Sequence, residues 1–226
     1  VQNEIVQNIQ NKMQLTVMPH LTCVRNCKRD VEEYLSILES TNVDCILALR
    51  GDYPTDGTTA CTDFKYANEL VEFIKSQSDI STGVAGYPEG HIEAENIQAD
   101  INNLKRKLAA GGEVIFTQLF FDTDKFCSYM ELLDHNKIDV PVTAGIMPII
   151  SYSQISRMIN LANIFVPDYL IEKINKYKDD KTSMVEFGVE FAVNQCQKLI
   201  ANGVCGLHFY TLNKAYSTSK ILDSII

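Results

Sequence analysis

The sequence predicts an α/β chain built on a parallel sheet, in the form of a (β/α)8 TIM-type barrel of which about six βα units are present. Three observations carry this. Six apolar runs alternate with helical patterns along all 226 residues. The runs are near-continuous in apolar residues, as expected of strands buried on both faces. Polar residues recur at the carboxyl end of nearly every run, which suits a barrel, where strand ends gather around one mouth. No GxGxxG follows any strand, so an open dinucleotide-binding sheet lacks its usual phosphate loop.

The elements follow in order. Val1–Lys12 reads as a helix before the first strand. Leu15–Thr22, Cys45–Arg50, Gly83–Tyr87, Glu113–Phe121, Val140–Met147 and Gly206–Leu212 read as strands. Helices are expected near Val31–Ser40, Asp63–Ser76, Glu95–Ala110 and Thr123–Asn136, then as a broken pair at Tyr152–Asn163 and Pro167–Lys176. Met184–Asn202 and a last helix from Lys214 complete the chain. Ile97, Ile101, Leu104 and Leu108 have the spacing of a core-facing helix. Asp100, Asn103 and Lys107 form a polar stripe beside that face. Gly51–Thr62 is the longest irregular stretch and fits a loop at the mouth. With six units and a leading helix, two βα units are inferred to be missing from the amino end. Residues 1–226 read as a single barrel domain, part of a longer protein, with no linker in the middle.

Composition narrows the function classes. Hydrophobic content of 46% and charged content of 22% are ordinary for a globular domain. A net charge of −9 argues against nucleic acid or an anionic membrane as the main partner. No apolar run reaches the ~20 residues that span a bilayer. Seven scattered cysteines fit a reducing compartment, and no signal peptide is evident. Cys23 and Cys27 in CVRNC have a zinc-ligand spacing, but no second pair of suitable spacing follows, so no metal site is expected.

The strand ends supply the chemistry. PHLTC places His20 at a strand end, where a structural role competes with a functional one. LRGD places Arg50 and Asp52 two apart, either as an internal ion pair or as a shared ligand face, with Gly51 permitting close backbone approach. TQLFFD buries Gln118, whose amide needs a neighbour or a ligand ring as partner. HFYTLN sets His208 and Tyr210 on one face. Between strand and helix, Tyr87, Glu89, His91 and Glu93 crowd one loop. No nucleophilic triad or carboxylate pair is visible. Aromatic, amide and mixed charged groups suit a planar heteroaromatic ligand with phosphates better than a hydrolytic site.

HLTC, ALRGD, VAGYPEGHIEA, DINNLKRK, TQLFFD, GIMP and GLHFYTLN, in this order from about Thr16 to Asn213, resemble methylenetetrahydrofolate reductase. The resemblance implies a flavin-dependent (β/α)8 barrel that reduces 5,10-methylenetetrahydrofolate to 5-methyltetrahydrofolate with NADH or NADPH by ping-pong hydride transfer through FAD. It implies that His20, Arg50, Gly51, Asp52, Tyr66, Ala67, Ala85, Tyr87, His91, Asp100, Asn103, Arg106 and Lys107 line the FAD. Asp52 and Gln118 take the catalytic roles: Asp52 near flavin and pterin, where its carboxylate supports a cationic iminium, and Gln118 hydrogen-bonding the pterin. Gln154, Met158 and Lys214 join Gln118 at the folate. Met158 stands where bacterial relatives have a stacking Phe, and Lys214 where they have Arg, which loses the bidentate fork.

The family's general acid, a Glu on the first barrel strand, and a flavin-contacting Thr on the second have no counterpart in the chain, nor does the regulatory domain of longer eukaryotic members. The resemblance further implies folate as substrate, a homo-oligomer and a cytoplasmic, alternatively mitochondrial, location. The alternative reading is a non-catalytic reductase-like scaffold subunit of a larger assembly.

Overall fold

Six strands lie in one sheet in chain order: β1 (His20–Thr22), β2 (Cys45–Leu49), β3 (Ser81–Gly86), β4 (Val114–Leu119), β5 (Val142–Ile146) and β6 (Gly206–Phe209). The structure, a computed structural model, describes residues 2–54, 63–162 and 164–226. The helices are α1 (Gln2–Gln7), continued by a π-helical turn at Asn8–Lys12, then α2 (Lys28–Ser40), α3 (Ala67–Gln77), α4 (Ile97–Ala109) and α5 (Thr123–His135). α6 (Tyr152–Ala162), α7 (Asp168–Tyr177), α8 (Lys181–Ala201) and α9 (Ala215–Ile225) follow. The chain divides into two compact units, Val1–Ala85 with Asn102–Ile115, and Gly86–Ile101 with Phe116–Ile226.

In the first unit β1, β2 and β3 pair in parallel, His20 opposite Leu47 and Cys45 opposite Ser81. β2 is CILAL, with Ile46, Leu47 and Ala48 all buried, because a parallel strand is covered on both faces. α2 turns Val31, Leu35 and Leu38 inward, and α3 turns in Leu70, Val71 and Ile74. α2 packs on α3, and α3 on β2. Lys75 reaches from α3 to the Ile80 carbonyl and the Glu113 carboxylate.

In the second unit β5 and β6 pair in parallel, Thr143 opposite Gly206. Its core gathers Leu119, Phe121, Met147, Ile149, Ile155, Ile164, Leu170, Ile174 and Met184. α8 packs against β5, α5, α7 and α9. It comes so near the β5–α6 connection that a Cβ on Gly188 would lie 1.7 Å from the Ile149 carbonyl oxygen. Glycine lets backbone approach backbone here. α2 and α5 end alike. Asn42 and Lys137 each take φ 55°, and Val43 and Ile138 donate back to Leu38 and Leu133, the left-handed stop of a Schellman motif.

The six-strand parallel sheet and its alternation with helices match the expected fold class. Every strand except β3 is shorter than expected; β4 and β5 lose residues at both ends, and the largest losses with a visible cause are at β1 and β6. β1 starts at His20 rather than Leu15: Gln14 turns at φ 54°, the Gln10 side chain takes the Val17 N–H, and Leu15 is exposed. β6 stops at Phe209 rather than Leu212, because Leu212 and Asn213 take left-handed φ of 48° and 58°. α2 begins at Lys28, earlier than Val31, and α3 at Ala67, later than Asp63. Val1, Asn163 and residues 55–62 of the expected mouth loop, Cys61 among them, lie outside the described residues.

Candidate functional site

In the first unit Arg50, Gly51 and Asp52 follow β2, and Ala85 and Lys107 meet near the end of β3, while the other candidates lie on β1, α3 and α4. β2 ends at Leu49, and Gly51 turns the chain at φ 80°, where an added Cβ would lie 3.0 Å from the Thr22 Cβ. Arg50 and Asp52 therefore do not alternate along a strand, as LRGD alone suggested. Arg50 is half-buried; its guanidinium lies 5.8 Å from the centre of the Tyr53 ring, a cation–π contact. Asp52 is exposed. His20 sits at the start of β1 rather than at its carboxyl end. Its side chain is open to solvent on one side, while partial desolvation holds its pKa below the ordinary imidazole value. Tyr66 caps α3, is exposed, and has its backbone N–H taken by Glu69, with Ala67 opening the helix. From α4, Lys107 runs back to the end of β3, where its ammonium donates to the Ala85 carbonyl at 2.5 Å. Beside it, Arg106 donates to the side-chain oxygen of Asn103, one turn back along α4, at 3.2 Å, both side chains being exposed.

In the second unit the loop after β3 presents an aromatic pair. The Tyr87 and His91 rings meet edge to face with centroids 4.7 Å apart. His91 Nδ1 accepts from the Glu93 N–H at 3.1 Å, which places the ring's proton on Nε2 in the neutral form. Glu89, between them, accepts from the Phe165 N–H at 2.7 Å. Asp100, in the first turn of α4, is 5% exposed. Burial pushes the nearby Tyr129 hydroxyl up, and the Asp100 charge adds to that.

The expected folate residues are more engaged with the protein than the sequence suggested. Gln118 is half-buried and its side-chain oxygen accepts from the Leu119 N–H at 3.0 Å. Gln154 closes the start of α6: its oxygen takes the Ile150 N–H at 3.0 Å, and its own N–H meets the Ser151 hydroxyl. Met158 packs against the apolar core of the unit. Lys214 is exposed and precedes α9. His208 and Tyr210 do share a face, stacked 4.9 Å apart at 13°. The Tyr210 hydroxyl donates to the Thr117 carbonyl at 3.0 Å and is pushed up to about 12 by burial.

The structure thus joins Tyr87 with His91, Asn103 with Arg106, and Lys107 with Ala85. Glu89 stood in the sequence as one acid in a polar loop. Its role as a long-range acceptor carries no local signal, because its partner is 76 residues away.

An α/β chain on a parallel sheet, with aromatic, amide and cationic side chains past its strand ends, belongs to the TIM-barrel class. A solved structure supports the class: an uncharacterized Clostridium thermocellum protein that binds two copies of 5-methyl-5,6,7,8-tetrahydrofolic acid. It superposes at a TM-score of 0.58 with 14% identity, over 96% of this chain and 76% of that one. Residues 1–226 match the methylenetetrahydrofolate reductase family model. Methylenetetrahydrofolate reductase 1 of Schizosaccharomyces pombe is 34% identical over 225 residues, covering 98% of this chain and 37% of that protein. The 5,10-methylenetetrahydrofolate reductase of Buchnera aphidicola subsp. Schizaphis graminum is 34% identical over 211 residues, 93% of this chain and 71% of that protein. The chain belongs to the methylenetetrahydrofolate reductase family. It spans little more than a third of the fission yeast relative and about seven tenths of the bacterial one.

Proposed function

We propose that the chain is the flavin-holding part of an oxidoreductase that reduces 5,10-methylenetetrahydrofolate to 5-methyltetrahydrofolate with NADH or NADPH. The observation that carries the reading is the family match over residues 1–226. The donor set supports it: cations, an aromatic pair and a tight glycine turn are what a dinucleotide with a planar ring needs. FAD, when bound, supplies a hydride acceptor that nicotinamide can reduce and folate can oxidise in turn, a ping-pong scheme.

The chain's own residues bind and orient. Arg50, Arg106 and Lys107 offset phosphate charge, and Asn103 and Asp100 hold ribose or adenine polar groups. Tyr66, Ala67, Tyr87 and His91 line the planar rings, with His20, Gly51 and Ala85 beside them. Asp52 stabilises positive charge as the folate ring opens to an iminium. Gln118 and Gln154 orient the pterin, Met158 packs on it, and Lys214 meets the folate glutamate. To do so the Gln154 amide would exchange its bond to Ile150 for one to ligand. Membership of the family would also bring a folate substrate, an oligomeric enzyme and a cytoplasmic or mitochondrial location.

The full-length protein tests the reading. It is expected to purify yellow or to take up FAD, to oxidise NADH or NADPH with menadione as acceptor, and to form methyltetrahydrofolate. A colourless protein that takes up no FAD overturns it. Colour without turnover favours a flavin-binding scaffold.

A further inference from the structure

We propose that Glu89 is a positioning residue: it clasps the loop bearing Tyr87 and His91 to the backbone of Phe165, and so sets where those two rings stand. This rests on the flavin reading of the loop given above. The loop between β3 and α4 is shaped by short-range contacts. Gly90 N–H donates to the Tyr87 carbonyl, Ala94 N–H to the His91 carbonyl, and Glu93 N–H to His91 Nδ1. Two contacts reach further along the chain: the Tyr129 hydroxyl lies against the Tyr87 backbone, and Glu89 accepts from the Phe165 N–H, a bond of 2.7 Å across 76 residues.

Its far end is firm. Phe165 lies between Ile164 and Val166, which are 5% and 7% exposed and belong to the apolar core of the unit. The Lys125 ammonium sits 4.5 Å over the Phe165 ring. Glu89 itself is held at a cost. Its Oε1 is buried and without a hydrogen-bond partner, and an orphaned buried oxygen is unfavourable. Burial holds the carboxyl above the ordinary carboxylate range, against the pull of the Phe165 N–H and of Lys125, with Asp122 adding to the rise. An acid kept half-buried at that cost, in the turn between two ring-bearing residues, is placed to fix the geometry of its neighbours.

The test uses the full-length protein, its Glu89→Ala and Glu89→Gln variants, and FAD titrated by quenching of flavin fluorescence. Glu89→Ala removes the acceptor and is expected to weaken FAD binding about tenfold, the value of one charge-assisted hydrogen bond. It should also alter the visible circular dichroism of the bound flavin and speed amide exchange at Phe165. Glu89→Gln keeps an oxygen for the Phe165 N–H and should restore all three readouts, with affinity within about threefold of the parent. If Glu89→Ala does not fold, Glu89→Met, which keeps the bulk without an acceptor, replaces it. Parent-like FAD binding by the acceptor-less variant, or no rescue by Glu89→Gln, overturns the clasp alone. A parent protein that binds no FAD overturns the functional reading, and the clasp with it.

Discussion

Single residues separate into those that a ligand can reach and those that the fold has consumed. Cys23 and Cys196 are fully buried. Burial, helped by the Glu69 charge, pushes the Cys23 thiol up to about 12 against the opposing pull of Arg50, and burial pushes the Cys196 thiol to about 11. Only the thiolate reacts, so both stay inert in the folded protein, whereas Cys205 is exposed. Peptide mapping after iodoacetamide treatment of native protein at pH 8 should find Cys205 alkylated, and Cys23 and Cys196 alkylated only after unfolding. Alkylation of Cys23 without denaturant would show that its shelter opens. The CVRNC pair is likewise put to structural use, since Cys27 donates its thiol hydrogen to Asp30 and Asp30 accepts the Cys27 N–H, an arrangement that starts α2.

At the scale of elements, α8 organises the second unit. Gly188→Ala would drive a methyl into the Ile149 carbonyl, and neither backbone can yield without moving a buried strand end. Overpacking of that kind costs about 3 kcal/mol, which a urea melt of the variant should register. A loss under about 0.5 kcal/mol would mean that helix and loop stand further apart. The same helix starts at Asp180, whose carboxylate accepts from the Thr182 and Ser183 N–H groups and the Ser183 hydroxyl. Those bonds, the Ser183 hydroxyl first, hold the Asp180 carboxyl below its ordinary value. A carboxylate with a depressed folded pKa stabilises above its unfolded pKa and loses that contribution as pH falls through the folded one. Asp180→Asn still caps but cannot titrate. The melting temperature of the parent relative to this variant should therefore drop on acidification below the carboxylate range. Parallel curves at every pH would remove the charge from the account.

The whole molecule carries a net charge of −9, yet its proposed ligands are anions. Arg50 follows β2, and Arg106 and Lys107 lie in the last turn of α4, so the cations proposed for the ligand sit at element ends within an acidic chain. A long polyanion would meet the net negative charge rather than the few cations. Labelled duplex DNA is expected to run unretarded with micromolar protein at low salt. A salt-sensitive shift would show a basic face that the summed charge conceals. Among the described residues no helix is long and apolar enough to cross a membrane.

What the sequence determined by itself was whatever rests on local pattern. Continuous apolar runs such as CILAL demand burial on both faces, and Val31, Leu35 and Leu38 demand a helix, so the order of strands and helices was legible before any coordinates. So were the motifs that led to the family. Strand ends were less so: β1 starts late, after a left-handed turn at Gln14, and β6 ends early, ahead of left-handed turns at Leu212 and Asn213, and non-glycine residues give little warning of such turns. The partners of polar side chains were decided only in three dimensions. Gln118 and Gln154 turn to nearby backbone, Tyr210 finds the Thr117 carbonyl, and Glu89 reaches Phe165. A hydrogen bond binds whichever group the fold brings within about 3 Å, and sequence distance does not enter that choice.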